Sequence, residues 1–300
     1  TMKKFKYSVF TFVLFSTLVF TQNGGGISGS ADPVATAMGK TYTVTSRGVY
    51  ALGANPALIT WSNPKSFEFS VIGPLNVRAG FDFMTLDDYN YFFGGTKDPV
   101  TGKTTGRYLT ADDKKRFREL FTDESKFIFS ASFNLFSAVY NAGANIGTFG
   151  FNITDMAYSK AVIPETFAKL GLEGNLQNEL YDFGGTKFGA SWTRKYALTY
   201  ARDFKLFNWK QVSAGISLNI MQGFGYAAID YIRTSFTFDA NSQLHGTGDY
   251  RAISSFSPDF GVKYDFDTTD IQKGSAAFPF PTPAGTGFGV DLGFAAQIND

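Results

Sequence analysis

The chain holds one histidine, His245, and no cysteine. Any side-chain chemistry would therefore run on that imidazole, on hydroxyls or on carboxylates. His245 sits with Asn241, Gly246 and Gly248 in a stretch that reads as loop. No Ser–His arrangement oriented by a third polar group surrounds it in the sequence, so a nucleophilic hydrolase is not supported. Gly285-Thr286-Gly287-Phe288-Gly289 carries the glycines of a phosphate loop, but it runs into an alternating strand pattern where a helix is required. These glycines are expected to relieve crowding on the inner face of a strand. Gly94-Gly95-Thr96-Lys97 recurs as Gly184-Gly185-Thr186-Lys187 without P-loop spacing, and both copies read as turns. Asp87 and Asp88, like Asp267 and Asp270, lack calcium-loop spacing and read as solvated loop charge. Asn152-Ile153-Thr154 matches a glycosylation acceptor but falls inside an expected strand. No cofactor, no metal and no enzymatic activity are expected.

The composition points away from an ordinary soluble core. Only 44% of the 300 residues are hydrophobic, yet 17% are aromatic, with 34 Phe and 32 Gly, and the mean hydropathy is −0.09. A polar average with a large aromatic load is the profile of a membrane β-barrel, whose strands interleave lipid-facing and lumen-facing side chains. The formal charge of +1, from 27 basic and 26 acidic residues, provides no global field to hold nucleic acid. The absence of cysteine excludes a disulfide framework and thiolate-based zinc or redox chemistry.

The elements that would position these residues are mostly strands. Met2-Lys3-Lys4-Phe5-Lys6 followed by an apolar run from Tyr7 to Phe20 reads as a signal peptide over residues 1–22, too short for a spanning helix. Beyond residue 65 the chain alternates with period two. In Lys126 to Tyr140, Phe127, Phe129, Ala131, Phe133 and Leu135 oppose Ser130, Ser132 and Asn134. Val212, Ala214, Ile216, Leu218 and Ile220 oppose Ser213, Gly215, Ser217 and Asn219, while Phe288, Val290, Leu292 and Phe294 oppose Gly287, Gly289, Asp291 and Gly293. Shorter versions occur at Phe67 to Phe83, Phe149 to Ile153, Phe188 to Tyr200 and Phe260 to Phe266. Several runs approach the ~9–11 residues of a membrane-spanning strand, beyond the ~5–6 usual in soluble sheets.

Connections alternate in length: Leu86 to Glu124 is long, Asn141 to Ala144 short, Ala161 to Gly185 long and Asp203 to Asn208 short. In a bacterial barrel the long pair lies outside the cell and the short pair in the periplasm. Thr110 with Asp113, followed by Phe117, Leu120 and Phe121, predicts a capped helix in the first long connection. Pro164 with Phe167 and Leu170 predicts another in the second.

Between the signal peptide and the first strand stand Met38-Gly39, Arg47-Gly48-Val49-Tyr50-Ala51-Leu52 and Asn55-Pro56-Ala57. This series resembles the N-terminal signature of the FadL-like superfamily of outer-membrane barrels. Tyr108 to Lys114, Leu172 to Asn175 and Gly287 to Gly293 are similar to an uncharacterised, Bacteroidetes-type branch of that superfamily. The resemblance implies an all-β transmembrane antiparallel barrel over residues 65–300 with a lumenal hatch over 23–64, set among the lipids of a bacterial outer membrane. Arg47, Asn55 and Pro56 become hatch candidates, although Asn55-Pro56 would form a rigid turn whatever its role. The implied activity is passive uptake of hydrophobic small molecules such as long-chain fatty acids. The alternative is a structural or secretion-accessory barrel, a docking partner as in type IX secretion.

Alternation assigns Glu68, Arg78, Asp82, Asn134, Asn219, Lys263, Asp265 and Asp291 to the lumen, so a hydrophobic ligand would need a separate apolar pocket. Roughly seven to ten strands can be counted, depending on whether Phe224 to Phe238 continues its predecessor or turns back. Because the strong segment Gly287 to Ile298 ends at a turn-like Asn299-Asp300, the barrel is expected to be incomplete at its C-terminus. Closure would require further strands, or a ladder from that segment to Phe67–Phe83.

Overall fold

A computed structural model describes residues 44–61, 66–73, 75–122, 124–206, 208–262 and 280–298. The signal-peptide region, the first half of the hatch region, and Lys263 and Asp265 lie outside the described residues. The chain enters through 3-10 turns at Gly48–Ala51 and Pro56–Trp61, then forms β1 (Phe67–Val71), β2 (Leu75–Phe81), α1 (Leu86–Phe93), β3 (Thr96–Lys97), β4 (Thr104–Thr105) and α2 (Ala111–Arg118). It continues as β5 (Lys126–Asn141), β6 (Thr148–Val162), α3 (Glu165–Glu173), β7 (Leu180–Asp182), β8 (Lys187–Phe204) and β9 (Gln211–Ile232). Last come β10 (Ser235–Phe238), β11 (Leu244–Thr247), β12 (Tyr250–Phe256), a 3-10 turn at Pro258–Phe260 and β13 (Gly285–Gln297). The fold is all-β, and every pair of named strands is antiparallel.

The main sheet has eight strands in the order β1-β5-β6-β8-β9-β12, with β2 also on β5 and β13 also on β9. Its two margins are therefore each one rail in two pieces. β1 pairs with Phe136–Tyr140 and β2 with Phe127–Phe133. At the break Ile72 adopts φ 55°, and the N–H groups of Ile72 and Gly73 donate to the carbonyls of Leu135 and Asn134 at 3.2 and 2.7 Å. Opposite this break β5 bulges between Asn134 and Phe136. The bulge reverses parity, so the series Phe127 to Phe133 continues as Phe136, Ala138 and Tyr140, and Leu135 does not belong to it.

On the other margin β12 pairs with the far half of β9 and β13 with the near half. β9 runs through Phe224 to Ile232 as one strand of 22 residues, so that segment continues its predecessor. The strand expected from Phe260 is corrected: Phe260 closes a 3-10 turn capped by the Ser257 hydroxyl, with Gly261 left-handed after it. Residues 263–266 of that expected strand lie outside the described residues. β12 escaped notice because Tyr250-Arg251-Ala252-Ile253-Ser254-Ser255-Phe256 does not alternate. Among the described residues no ladder joins β1 or β2 to β12 or β13, and no closed barrel is found.

The two faces differ sharply. One carries the register row Phe67, Tyr140, Phe149, Tyr200, Ile216, Leu292 across successive rails. Near the opposite end of the sheet it carries Phe81, Phe127, Ala161, Phe188 and Ile229. Between these rows Phe69, Val77, Leu198, Leu218 and Val290 are each more than half exposed. The other face holds Asn134, Ser137, Asn152, Thr154, Thr199, Ser217 and Asn219, all buried. Apolar outside and polar inside is the reverse of a soluble protein.

The long connections fold on themselves. Capping boxes start both α1, at Thr85 and Asp88, and α2, at Thr110 and Asp113. Asp88 is thus a helix cap and not free loop charge, and its Thr85-x-x-Asp88 spacing is the signal that would have located α1. Phe92 and Phe93 pack edge-on against Phe117. Arg118 joins α2 to α3 through Glu165 and Glu173 at 2.9 and 2.5 Å. β7, β10 and β11 form a separate sheet whose Tyr181, Phe183 and Phe238 build a second core. His245 lies exposed on β11, its ring 3.1 Å from the Asp239 carboxylate of its own hairpin.

The Tyr91 hydroxyl donates to Asp113 at 2.7 Å, the Thr110 N–H at 3.0 Å, and Arg107 stands 3.2 Å away. Together, with Tyr91 foremost, they hold the Asp113 carboxyl well below the usual carboxylate range. A depressed folded value stabilises above the unfolded pKa of about 3.9 and is lost as pH falls through the folded one. Hydrogen-exchange protection of α1 and α2 should therefore persist below pH 4 and decay only in stronger acid. Tyr91→Phe should move that decay upward, towards pH 4. Identical acid profiles for the two proteins would remove Tyr91 as the cause.

Candidate functional site

Residues 44–61 pack on the polar face of the sheet, and the segment is called the plug below for that position alone. Local chemistry shapes it: the Asn55 side chain accepts from the Ala57 N–H at 3.1 Å while Pro56 fixes its own φ, which together make a stiff turn. Gly48 takes φ 57°, and a Cβ there would overlap the Glu68 carboxylate, which accepts from the Val49 N–H at 3.3 Å. Arg47 closes the plug on itself, its guanidinium 4.9 Å from the Trp61 ring and donating to the Val44 and Ser46 carbonyls at 2.8 Å. Val49, Ala51, Leu52, Ala57, Leu58 and Ile59 then bury against Val139, Ala201 and Ala295 of the wall.

The wall meets the plug with glycines. A Cβ on Gly150 would stand 2.5 Å from Leu52 Cδ2, and one on Gly215 would stand 2.5 Å from the Pro56 carbonyl carbon. One on Gly293, the direct register partner of Gly215, would overlap Asn55 Oδ1 and lie 2.8 Å from Pro56 Cδ. Polar contacts complete the seat. Asn55 Nδ2 donates to the Phe294 carbonyl at 3.3 Å, and Thr60 Oγ1 donates to Asp203 at 2.6 Å. The crowding expected at Gly285 to Gly289 is not there: Gly285 has open space, and Gly287 and Gly289 meet Met221 Cε only at 4.0 and 3.7 Å. The close approach is at Gly293.

The profile of a family of unknown function, DUF5723, matches residues 56–300, from the plug's proline through β13. The chain belongs to DUF5723. No curated protein and no solved structure matches it.

Beside the plug, the DUF5723 wall carries a polar shelf. Asn134 Nδ2 donates to Ser137 at 2.5 Å, Asn152 Nδ2 to Thr154 at 3.1 Å, and Asn219 Nδ2 to Asp291 at 2.9 Å. The Oδ1 atoms of Asn134, Asn152 and Asn219 are buried and have no hydrogen-bond partner among the described residues. Lys195, also buried, stands in register with Thr154 on the same face. Of the residues assigned to this face from sequence, Glu68 holds the plug, Asn134, Asn219 and Asp291 join the shelf, and Arg78 lies exposed in register with Ser130. Asp82 lies just past the last residue of β2, where its carboxylate accepts from the Lys126 N–H at 2.6 Å and its own N–H donates to the Lys126 carbonyl at 3.1 Å.

Asn152, Thr154 and Lys195 were missed. The run Phe149 to Ile153 already implied that Asn152 and Thr154 face inward. Arg194-Lys195 places one cation on each face, and adjacency alone cannot say which. Among the described residues no cluster of three or more His, Asp or Glu could hold a metal ion.

Gly289 and Gly293 share a strand and a face but differ in the space above them, which sets a direct contrast. Gly293→Val should force the plug from its seat, an overpacking cost of about 1–3 kcal/mol, lowering thermal stability and opening residues 44–61 to protease. Gly289→Val should leave both unchanged. Equal behaviour of the two variants would mean that the seat is not what holds the plug.

Proposed function

We propose that this chain forms the wall of a bacterial outer-membrane β-barrel with a plugged lumen, and that it passes small hydrophobic or amphipathic molecules. The inverted wall carries the reading. Its exposed apolar face is bounded at one end by a row of aromatic side chains on four adjacent rails, as in the girdles of membrane barrels. From Phe149 in that row to Ala161 in the other is about 40 Å of extended chain at ~3.3 Å per residue. At the ~35–45° tilt of membrane barrels this becomes about 30 Å, enough for an apolar band ~25 Å tall.

The cargo class draws on the FadL-like resemblance of the plug sequence, which implies hydrophobic molecules such as long-chain fatty acids. The described inner wall is hydroxyl- and amide-lined. That lining favours a solute whose polar end meets Asn134, Asn152 and Asn219, with any apolar path lying elsewhere. A second reading, a structural or secretion-accessory barrel, draws on the connections, whose helices and small sheet build their own core and ion pairs. Co-purification of a stable protein partner from native membranes would favour it.

The membrane reading is tested by the two faces. Leu218→Arg puts a charge on the exposed apolar face, where the cost at midplane is about 2–4 kcal/mol, while Ser130→Arg puts it inside. Ser217 is unsuitable as the inner control, because it is buried and hydrogen-bonded to Thr199 at 2.6 Å. Folding yield into phosphatidylcholine vesicles, read by heat-modifiable electrophoretic mobility, should collapse for Leu218→Arg and hold for Ser130→Arg. Matching yields would overturn the assignment.

A further inference from the structure

The apolar face is interrupted in one place. Asp155 on β6, Arg194 on β8 and Gln222 on β9 are successive register partners, and strand parity puts all three on the outward side. Asp155 lies midway between the Phe149 and Ala161 rows, the depth at which a lipid-facing charge is most costly. Arg194 is nevertheless fully buried, at 0% exposure. Its Nε and Nη2 donate to the two Asp155 carboxylate oxygens at 2.5 and 2.8 Å. The rings of Phe224 and Phe280 each lie 5.3 Å from its guanidinium carbon.

The cover comes from the interrupted rail. After β12 the Ser257 N–H donates to the Phe224 carbonyl, and before β13 the Ala284 N–H donates to the Gly223 carbonyl, both at 2.7 Å. The chain thus leaves and rejoins β9 at adjacent residues. Phe224 is itself the bulged residue, skipped between the pairs Trp192–Gly225 and Thr193–Gly223. The two arms of the excursion are tied together where the Thr282 N–H donates to Asp259 at 2.6 Å. They bring Phe280 onto Arg194 and stack Phe260 on Trp192 at 5.7 Å with an interplanar angle of 7°.

We propose that the arms around Phe260 and Phe280 form a strap on the outward face and that the Arg194–Asp155 pair is its latch, so that this sector of the wall is covered by protein and not by lipid. The proposal rests on reading this face as the membrane face. Bidentate pairing fixes the guanidinium plane on which the rings pack. An apolar arm alone could slide along a greasy wall, whereas a desolvated ion pair holds the strap in one place. The ladders from β9 to β8 and β13 do not run through the strap, so it can come free while the wall stays intact.

Trp192 reports on this directly. In a Trp61→Phe, Trp209→Phe background, the full chain is folded into vesicles of phosphatidylcholine brominated at mid-chain and the quenching of Trp192 emission is measured. A Leu218→Trp reporter, with Trp192→Phe added, calibrates full lipid contact on the same face. Trp192 should be clearly less quenched than this calibrant. Removing both charges, as Asp155→Leu with Arg194→Leu, leaves no lone buried ion to block folding and should raise Trp192 quenching to the calibrant's level, as should Phe260→Ala. Trp192 quenched as fully as Leu218→Trp in the otherwise unaltered chain would overturn the strap and leave the membrane reading standing. Continued shielding in the charge-free variant would overturn the latch. A calibrant that escapes quenching would overturn the membrane face, and the strap with it.

Discussion

The approach of Asn55-Pro56-Ala57 to Gly215 and Gly293 is the contact on which the rest of the structure depends. Backbone reaches backbone only because two register partners on neighbouring rails both lack a Cβ. Once seated, residues 44–61 reach every rail: Glu68 on β1, Val139 on β5, Gly150 on β6, Asp203 and Ala201 on β8, Gly215 on β9, and the Phe294 carbonyl on β13. A polar sheet face offers little hydrophobic burial of its own. The plug supplies it locally, burying Leu52, Leu58 and Ile59 in an otherwise hydroxyl- and amide-lined surface.

Strand parity is the second constraint, and the wall adjusts it by bulges. The β5 bulge at Leu135 lies opposite the turn at Ile72 and Gly73, where the margin splits into β1 and β2. The β9 bulge at Phe224 lies where the other margin splits into β12 and β13. In both cases an extra residue on the inner rail faces a discontinuity on the outer one. The unpaired residue then serves the local need: the Leu135 carbonyl receives the Ile72 N–H, and Phe224 turns its ring to Trp192 and Arg194.

Period-two alternation made β5, β9 and β13 legible because their two faces meet opposite surroundings, so each residue's polarity declares its side. Glu68, Asn134, Asn219 and Asp291 could be assigned inward on that ground alone. Alternation says nothing of height or of what stands opposite. Gly289 and Gly293 look alike in the sequence, and only the plug separates them. Asp82 fitted the inward series by parity but lies beyond the last paired residue of β2, Phe81. Leu135 was misplaced because a bulge has no signature in side-chain polarity, and β12 was overlooked because its Ser254-Ser255 pair breaks the alternation. The helix α1 was legible in principle, since Thr85-x-x-Asp88 is the same capping signal that located α2.

Arg194 and Lys195 concentrate these constraints at a single step of β8. Consecutive residues on a strand face opposite ways, so two adjacent cations commit one charge to each side of the wall. On the plug side Lys195 joins a surface already rich in hydroxyls and amides and breaks no rule there. On the other side Arg194, with its register partners Asp155 and Gln222, interrupts the apolar pattern of the face, and removing Asp155 alone would leave a desolvated cation, among the costliest defects a structure can carry. Local rules that are broken and then compensated mark places under a demand other than stability. Here the compensation is large, since it recruits a carboxylate from β6, the bulged Phe224 of β9 and the Phe280 ring from the rail interrupted at that point. On the strap reading, that demand is the anchoring of the arm that brings Phe280 onto Arg194.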